Sequence, residues 1–534
     1  MSKFTKLLFS PRQFVVDSVK KPAPKQKATA LAAAKPAAAP KAVLQPKPKL
    51  KTAVVKVPAK AGKPVVAAKP IPAINPEIAR RRAFFDGRVS MLTELVMHGE
   101  YEAFKKAWNH TQSDATSPQE TMSLINVRAE WLLAAGIHDE LRELAGRMID
   151  EHKNLAGHFY KAQSYFVCGQ YDLAKQSLQQ LLYTNPNHAD GIFLLVDITH
   201  RTKEKELGWL ALERLALTSK RNKIWHSMSN LVDNDADLFR LMGNWDKWKA
   251  TKTGPAYHKD VSEFVALGAL RIEQYELSKA IWRDSMKSAI SSKNAFDGMK
   301  IRKPSYSSRR AEIALEDINR ILFNAGIEMF LVSGTLLGCV RENQLLGHDK
   351  DIDVGIWDKV DSAAFFDVVT KSGLFFILHS RSKEIIRLRH TNGIAIDVFY
   401  HYREKKDYWH GGIKMVWHNT PFELATREFL GGNYLIPTNY DLYLTENYGD
   451  WRTPKIAFDS AFDTPNGEAI NDGEMAVHSF KGLMDSCIDQ NWERVNFYLE
   501  SLAKYKEADF AEKFRPQLMS RYPDSQQFLS PSDG

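Results

Sequence analysis

The spacing of apolar residues changes near residue 300 of this chain, and that change restricts the fold to a helical part followed by a mixed part. From about 80 to 300 apolar residues recur at helical intervals with few strand signals. From 305 to 460 helix and strand patterns alternate. A helix is predicted over 308–325, then the apolar strand Met329-Phe330-Leu331-Val332, a short helix from Thr335 to Glu342 and a strand from Asp351 to Ile356. A helix over 362–371 and strands at Phe375–His379, Ile385–Arg389 and Ile394–Tyr400 complete this part. Residues 470–520 return to helix, with Met475, Phe480, Leu483, Met484 and Cys487 spaced for one face. The expected divisions are 1–78, 79–300, 301–460 and 461–534, and 534 residues are enough for two or three cored domains.

Within the helical part a repeat emerges. Ala162, Tyr165, Gly169, Tyr171, Ala174, Leu178, Leu181 and Pro186 resemble a tetratricopeptide repeat, with small residues where two helices touch, a glycine–tyrosine turn and a closing proline. Ala129, Leu132 and Gly136 sit one period earlier, Gly208, Leu212 and Leu215 one period later, and Gly99 and Tyr101 hint at a further copy. The fold class is therefore multi-domain: an α-helical tetratricopeptide-like repeat region, an α/β domain and a C-terminal helical segment. Repeats of this kind stack because none buries its apolar face alone. They serve equally as a surface for a protein partner or as a scaffold for the neighbouring domain.

Charge is uneven. The net +9 comprises thirteen lysines without an acid between Lys20 and Lys69 and +2 in the first nineteen residues, which leaves −6 on the remainder. The folded part is mildly acidic, so nucleic acid is not an expected partner. Residues 21–75 are Ala, Lys, Pro and Val in loose repetition and cannot bury enough apolar area to order themselves. They read as a semi-stiff tether, either a solvated spacer or a polycation reaching an anionic membrane surface. Residues 1–20 fit a short amphipathic helix interrupted by Pro11. Cys168, Cys339 and Cys487 lie far apart, which suits apolar packing in a reducing compartment rather than a zinc site. No stretch reaches membrane-spanning length and no signal peptide is read, so a cytoplasmic location is expected, peripheral at an inner membrane if the basic tether docks there.

The chemistry concentrates between 333 and 397. Ser333-Gly334-Thr335 stands at a strand-to-helix junction, where a glycine and free N–H groups suit a phosphate. Asp349, Asp351 and Asp353 alternate, so on a strand they share one face. Like charges so close are unfavourable, and a divalent cation with oxygen ligands, Mg²⁺ or Mn²⁺, resolves the repulsion. A solvated acidic turn would not need apolar Ile352 and Val354 between the acids. Asp397, alone in the run Ile394-Ala395-Ile396-Asp397-Val398-Phe399, is expected on a strand beside Asp351–Asp353. Arg341, Arg387 and Arg389 are candidates for phosphate oxygens. Tyr408, Trp409, Trp417 and Trp451 suit either an aromatic cage for a quaternary ammonium or hairpin packing.

These motifs, in order, resemble the LicD/fukutin family: Ser-Gly-Thr-Leu-Leu-Gly-x-x-Arg from Ser333, then His348-Asp349-Lys350-Asp351-Ile352-Asp353, then Ile396-Asp397-Val398-Phe399, then Tyr448-Gly449-Asp450-Trp451. The resemblance covers about 325–455. It implies a nucleotidyltransferase-like fold and transfer of a substituted phosphate (choline, ethanolamine, glycerol or ribitol phosphate) from a CDP-linked donor to a sugar hydroxyl. It further implies Asp351 and Asp353 as metal ligands, Asp397 as third carboxylate, and Gly334 and Thr335 lining the donor site. His348 and Lys350 stand where many members carry a tryptophan and a third acid, and the zinc-binding cysteines of the ribitol-phosphate-transferring animal members are missing. A bacterial capsule or lipopolysaccharide pathway fits a cytoplasmic member with a basic tether. Transfer of the nucleoside monophosphate itself, and an assembly scaffold with an inactive enzyme domain, are the rival readings.

Overall fold

The computed structural model describes residues 76–251, 259–299, 301, 306–347, 351–455 and 457–530. The expected tether and amphipathic terminus, and Asp349 with its neighbours His348 and Lys350, lie outside them. No helix among the described residues is long and apolar enough to cross a membrane.

The helical region consists of α1 (Pro76–His98), α2 (Tyr101–Thr111), α3 (Pro118–Ala134), α4 (His138–Asp150), α5 (Ala156–Val167), α6 (Tyr171–Thr184), α7 (Ala189–Arg201), α8 (Lys205–Ala216), α9 (Lys223–Ser229), α10 (Asp235–Ala250), α11 (Lys259–Leu270) and α12 (Tyr275–Ser291). The segment whose spacing resembles a repeat most closely forms the α5–α6 hairpin, where Ala162 and Ala174 are wholly buried. Small side chains there let two helices approach without a void. The turns that end α1, α3 and α5 carry Gly99, Gly136 and Gly169, all left-handed at φ +79°, +68° and +73°. At the equivalent turns after α7 and α11 the left-handed residues are Lys203 and Glu273.

The mixed domain opens with α13 (Ser308–Asn324) and contains α14 (Ser333–Arg341), α15 (Ser362–Ser372) and α16 (Tyr440–Tyr448). Its ten-stranded sheet has the order β10 (Gly467–Ala469), β7 (Met415–Asn419), β6 (Asp407–Gly411), β5 (Ala395–Glu404), β2 (Asp351–Trp357), β1 (Met329–Leu331), β9 (Gly432–Pro437), β8 (Leu424–Phe429), with β4 (Ile385–His390) and β3 (Phe375–Ile377) branching from the first half of β5. Strands β2 and β5 run parallel. Ile352, Val354, Ile356, Ile396 and Val398 are wholly buried on one face, beneath the apolar side of α13 (Ala311, Ala314, Leu315, Ile318, Leu322). Period-2 alternation therefore sends Asp351, Asp353 and Asp397 to the opposite face.

Two features depart from the expected divisions. The sheet continues past residue 460, because β10 pairs with β7. The C-terminal helices α17 (Asp472–Asp489), α18 (Trp492–Leu502) and α19 (Ala508–Arg521) share one apolar core with α12: Phe480, Leu483 and Met484 meet Trp282 and Met286. Buried Glu507 ties them further, accepting from Arg283 at 2.8 Å beside Lys279 at 3.1 Å. The tail thus extends the helical array, and the mixed domain is inserted between its parts. Apolar period alone cannot say which core a helix joins.

The array cradles that domain through its turns. A Cβ on Gly136 would lie 2.3 Å from Leu374, one on Gly169 2.5 Å from Thr370, and one on Gly99 2.9 Å from Arg310. His138, buried in α4, donates from Nε2 to the Gly373 carbonyl at 2.6 Å, which fixes that nitrogen as the protonated one, and burial lowers its pKa. Arg201 donates to the Ile377 carbonyl at 2.6 Å, and Phe166 stacks on Phe376 at 6.1 Å. Within this chain, then, the repeat turns serve the neighbouring domain.

Gly169→Ala should cost about 1–3 kcal/mol, since both the left-handed φ and the contact with Thr370 oppose a side chain. Gly146→Ala, in α4 with open space around it, should instead stabilise by about 0.5–1 kcal/mol. Urea unfolding of the two variants reads the difference; equal effects would refute the docking role of the turn.

Candidate active site

The parallel register sets Asp353 directly beside Asp397 and Asp351 beside Ala395. On the other edge of β5, antiparallel β4 sets Arg387 opposite Asp397 and Arg389 opposite Ala395. One sheet face therefore carries two rows, Asp353–Asp397–Arg387 and Asp351–Ala395–Arg389. Side chains on adjacent strands are about 5 Å apart, so the two carboxylates repel by about 3 kcal/mol at an effective dielectric of about 20. Burial of the aliphatic residues on the reverse face, about 1.5–3 kcal/mol each, outweighs that. Arg387 relieves part of it, its Nε lying 3.2 Å from Asp397 Oδ1.

The helix α14 closes over this pair. Ser333 adopts a left-handed φ of +47°, a conformation that costs a non-glycine residue of order 1 kcal/mol and gathers at functional sites. It turns the chain so that the Gly334 N–H donates to Asp353 Oδ2 at 3.4 Å. Buried Thr335 accepts from the Asp353 backbone N–H at 2.8 Å through its hydroxyl. That bond spans the gap between β2 and α14 and locks the strand against the helix start. Beneath Asp353 lies the buried phenol of Tyr443, pushed up by burial and then by that carboxylate.

A cavity of about 940 Å³ opens here, lined by Ser333, Gly334, Arg341, Asp351, Asp353 and Asp397. Its far wall comes from β6, β7 and the segment 447–464, including His410, Trp417, Asn447, Tyr448, Asp450, Trp451, Lys455 and Ser460. Arg341 donates to the Trp451 carbonyl at 3.2 Å and so links α14 to the Tyr448-Gly449-Asp450-Trp451 turn. Gly449, at φ +66°, ends α16 and makes that turn. The Thr453 hydroxyl and the backbone N–H groups of Thr453 and Arg452 hold the Asp450 carboxyl below its ordinary value. Lys455 donates to the Tyr448 carbonyl at 3.0 Å and adds a second cation to the wall.

The structure thus brings Ser333, Gly334, Arg341, Asp351, Asp353 and Asp397 to one cavity and places Thr335 just behind it. Arg387 and Arg389 share the sheet face but lie outside the cavity lining, toward the helical region. The four aromatic residues do not converge. Tyr408 packs on Trp357 and Phe422, Trp409 stacks on Tyr402 at 4.1 Å, and only Trp417 and Trp451 reach the cavity. Cross-strand pairing in the β5–β6–β7 meander claims their faces. His410, Asn447 and Lys455 were not among the sequence candidates; they enter the wall through hairpin register and a loop, which apolar spacing does not reveal.

Oxygen donors suit a hard divalent cation. Among the described residues no three acidic, histidine or cysteine side chains gather tightly enough to hold a metal by themselves. The neighbouring carboxylates of Asp353 and Asp397 match the sparse protein ligation usual for Mg²⁺, which takes its remaining ligands from water and substrate phosphate.

The outer wall is anchored by Asp459. Burial opposes its ionisation, but His478 Nε2 at 2.9 Å, the Tyr498 hydroxyl at 2.7 Å and the Ala461 N–H hold the carboxyl far below its ordinary 3.8. A depressed folded-state pKa gives stability that is complete above the unfolded value and fades as pH falls toward the folded one. Asp459→Asn should therefore destabilise the protein near neutral pH, with a gap to the parent that narrows below about pH 4. Paired urea titrations across that range measure it; a pH-independent gap would contradict the assignment.

Residues 326–439 match the family described as LicD/FKTN/FKRP, nucleotidyltransferase domain. The ribitol-5-phosphate transferase FKTN of Mus musculus is 27% identical over 184 residues, 32% of this chain and 38% of that protein. The ribitol-5-phosphate transferase FKTN of Homo sapiens is 25% identical over 166 residues, 29% of this chain and 35% of that protein. The chain thus spans under two fifths of the length of these relatives, and the family match runs from β1 to β9 and includes Asp351, Asp353 and Asp397. Over that stretch its mixed domain is similar to the LicD/fukutin family.

Proposed function

We propose that the mixed domain transfers a substituted phosphate from a CDP-linked donor to a hydroxyl of a glycan, releasing CMP. The observation that carries this reading is the side-by-side pair Asp353–Asp397 facing a cavity whose edge is the start of a helix. A polyol phosphate such as ribitol phosphate is the favoured group, because the relatives are ribitol-5-phosphate transferases.

Asp353 and Asp397, with Asp351 adjacent, would hold Mg²⁺ or Mn²⁺. The ion would supply positive charge against the donor's phosphates and the leaving nucleotide. The chain supplies the rest. Gly334 lets the donor's phosphates approach the backbone where α14 begins. Arg341, at the end of α14 and paired with Glu342, and Lys455, on the far wall, add positive charge around them. Thr335 keeps Asp353 in position. The proton of the attacking hydroxyl passes to a carboxylate at the β5 side of the cavity, Asp397, with Asp349 as the alternative. Alignment and fixed charge supply most of the acceleration, as in other phosphoryl transfers.

Asp353→Asn and Asp351→Asn should each lower transfer by at least about 100-fold while thermal unfolding stays near that of the parent. Chelation should abolish activity and added Mg²⁺ or Mn²⁺ restore it. The assay offers a panel of CDP-alcohols and glycans and reads products by mass spectrometry. CMP release supports this reading, diphosphate release points to nucleotidyl transfer, and undiminished activity in both variants would end it.

A further inference from the structure

Beyond the cavity, the face of the sheet continues along β4 toward the helical array, and the side chains met there are cationic. Arg387 stands next to Asp397, and its side chain is half exposed. Arg389 follows two residues on, about 7 Å further along the strand, lying over the Phe376 ring at 5.2 Å. Across from it α9 presents exposed Lys223, over Phe193 at 4.6 Å, and His226, against Phe264 at 5.1 Å. Arg201 and Arg271 flank the strip, each anchored by a backbone carbonyl, those of Ile377 at 2.6 Å and Val232 at 3.0 Å.

These groups share one field. Lys223, Arg389 and Arg201 all act on the carboxylate of Asp197, and Lys223, Arg271 and Arg387 all act on His226. Burial, then neighbouring positive charge, lowers His226, His200 and His379, the last to about 3, so these imidazoles are neutral donors or acceptors at physiological pH. Against the six cations Arg201, Arg221, Lys223, Arg271, Arg387 and Arg389 stand Asp190, paired with Arg221 at 2.6 Å, Asp197, Asp233 at 3.8 Å from Arg271, and Asp397. Arg381 nearby is neutralised by a two-point pair with Glu474. The strip is therefore positive in excess beside a carboxylate pair, and Ala395, the small residue between Asp351 and Arg389, leaves the path between them low.

We propose that this strip, from Asp397 past Arg387 and Arg389 to Lys223 of α9, is the acceptor cleft and that it selects an anionic glycan. The inference rests on the transferase reading above. Guanidinium groups in a row grip planar or tetrahedral oxyanions, so phosphodiester and uronate groups are the two sources of the shared chemistry. An accepting hydroxyl next to such a group would lie at Asp397 while its charge is held by Arg387 and Arg389. The helical array thereby contributes one wall of the site, which gives the docking of its turns a chemical purpose.

The test is binding by fluorescence anisotropy to the full chain at physiological salt, with three labelled probes of equal length: a glycerol-phosphate oligomer, an oligogalacturonate and a neutral malto-oligosaccharide. At least one anionic probe should bind about tenfold or more tighter than the neutral one, and Lys223→Gln with Arg389→Gln should remove about tenfold of that affinity. Lys223→Gln alone, on the exposed helix surface, should show a smaller loss in the same direction if the double variant folds poorly. CDP affinity in Mg²⁺, measured calorimetrically, should be unchanged by either; its absence in the parent would sink the donor reading and leave the cleft to be judged by the probes. Equal binding of neutral and anionic probes, no loss in the variants, or an equal loss in the remote pair Lys287→Gln with Lys513→Gln would overturn the cleft.

Discussion

The parallel pairing of β2 with β5 is the constraint on which the rest of the site depends. It places two carboxylates, Asp353 and Asp397, on adjacent strands at the same level, an arrangement that electrostatics alone would not choose. The apolar reverse face holds them there. Ile352, Val354, Ile396 and Val398 are sealed beneath α13, and slipping either strand by one residue would turn those side chains out and the aspartates in. The repulsion is thus maintained by burial and is relieved in part by the guanidinium of Arg387.

The elements around this pair each answer a local demand. Ser333 accepts a strained φ so that the start of α14 meets Asp353. Thr335 gives its hydroxyl to the β2 backbone, and Arg341 spends its guanidinium on the Trp451 carbonyl, joining the two walls. The helical array adds support from outside. Glycines at the ends of α1, α3 and α5 permit left-handed turns that come within van der Waals distance of Arg310, Leu374 and Thr370. Where the array faces the open side of β4, the corresponding turns carry Lys203 and Glu273 instead, and the surface changes from close-packed to charged.

Much of the carboxylate-bearing face is legible in the sequence because strand period is local. Alternation at Asp351 and Asp353, with Ile352 and Val354 between, fixes both the face and its opposite. The isolated Asp397 inside an apolar run called for a partner, and the partner lies on the neighbouring strand. The aromatic residues were harder. Trp409 and Trp417 sit on strands whose cross-strand neighbours, Tyr402 and His410, take up their ring faces, and no feature of the sequence names those neighbours. The apolar spacing of the C-terminal segments marks them as helices but not as members of the helical core, because an amphipathic face declares that it will be buried without declaring against what.

The sequence by itself determined the order of helical and mixed parts, the face of each strand and the identity of the carboxylates, since periods of 3.6 and 2 and the cost of an isolated buried charge act over a few residues. Only the tertiary structure decided that β4 joins the free edge of β5 and so brings Arg387 to Asp397. It also decided that the tail returns to α12, and that α7 and α9 face β4 with their cations. Those are contacts between segments far apart in the chain, chosen by how whole surfaces fit together, and no local pattern of residues encodes them.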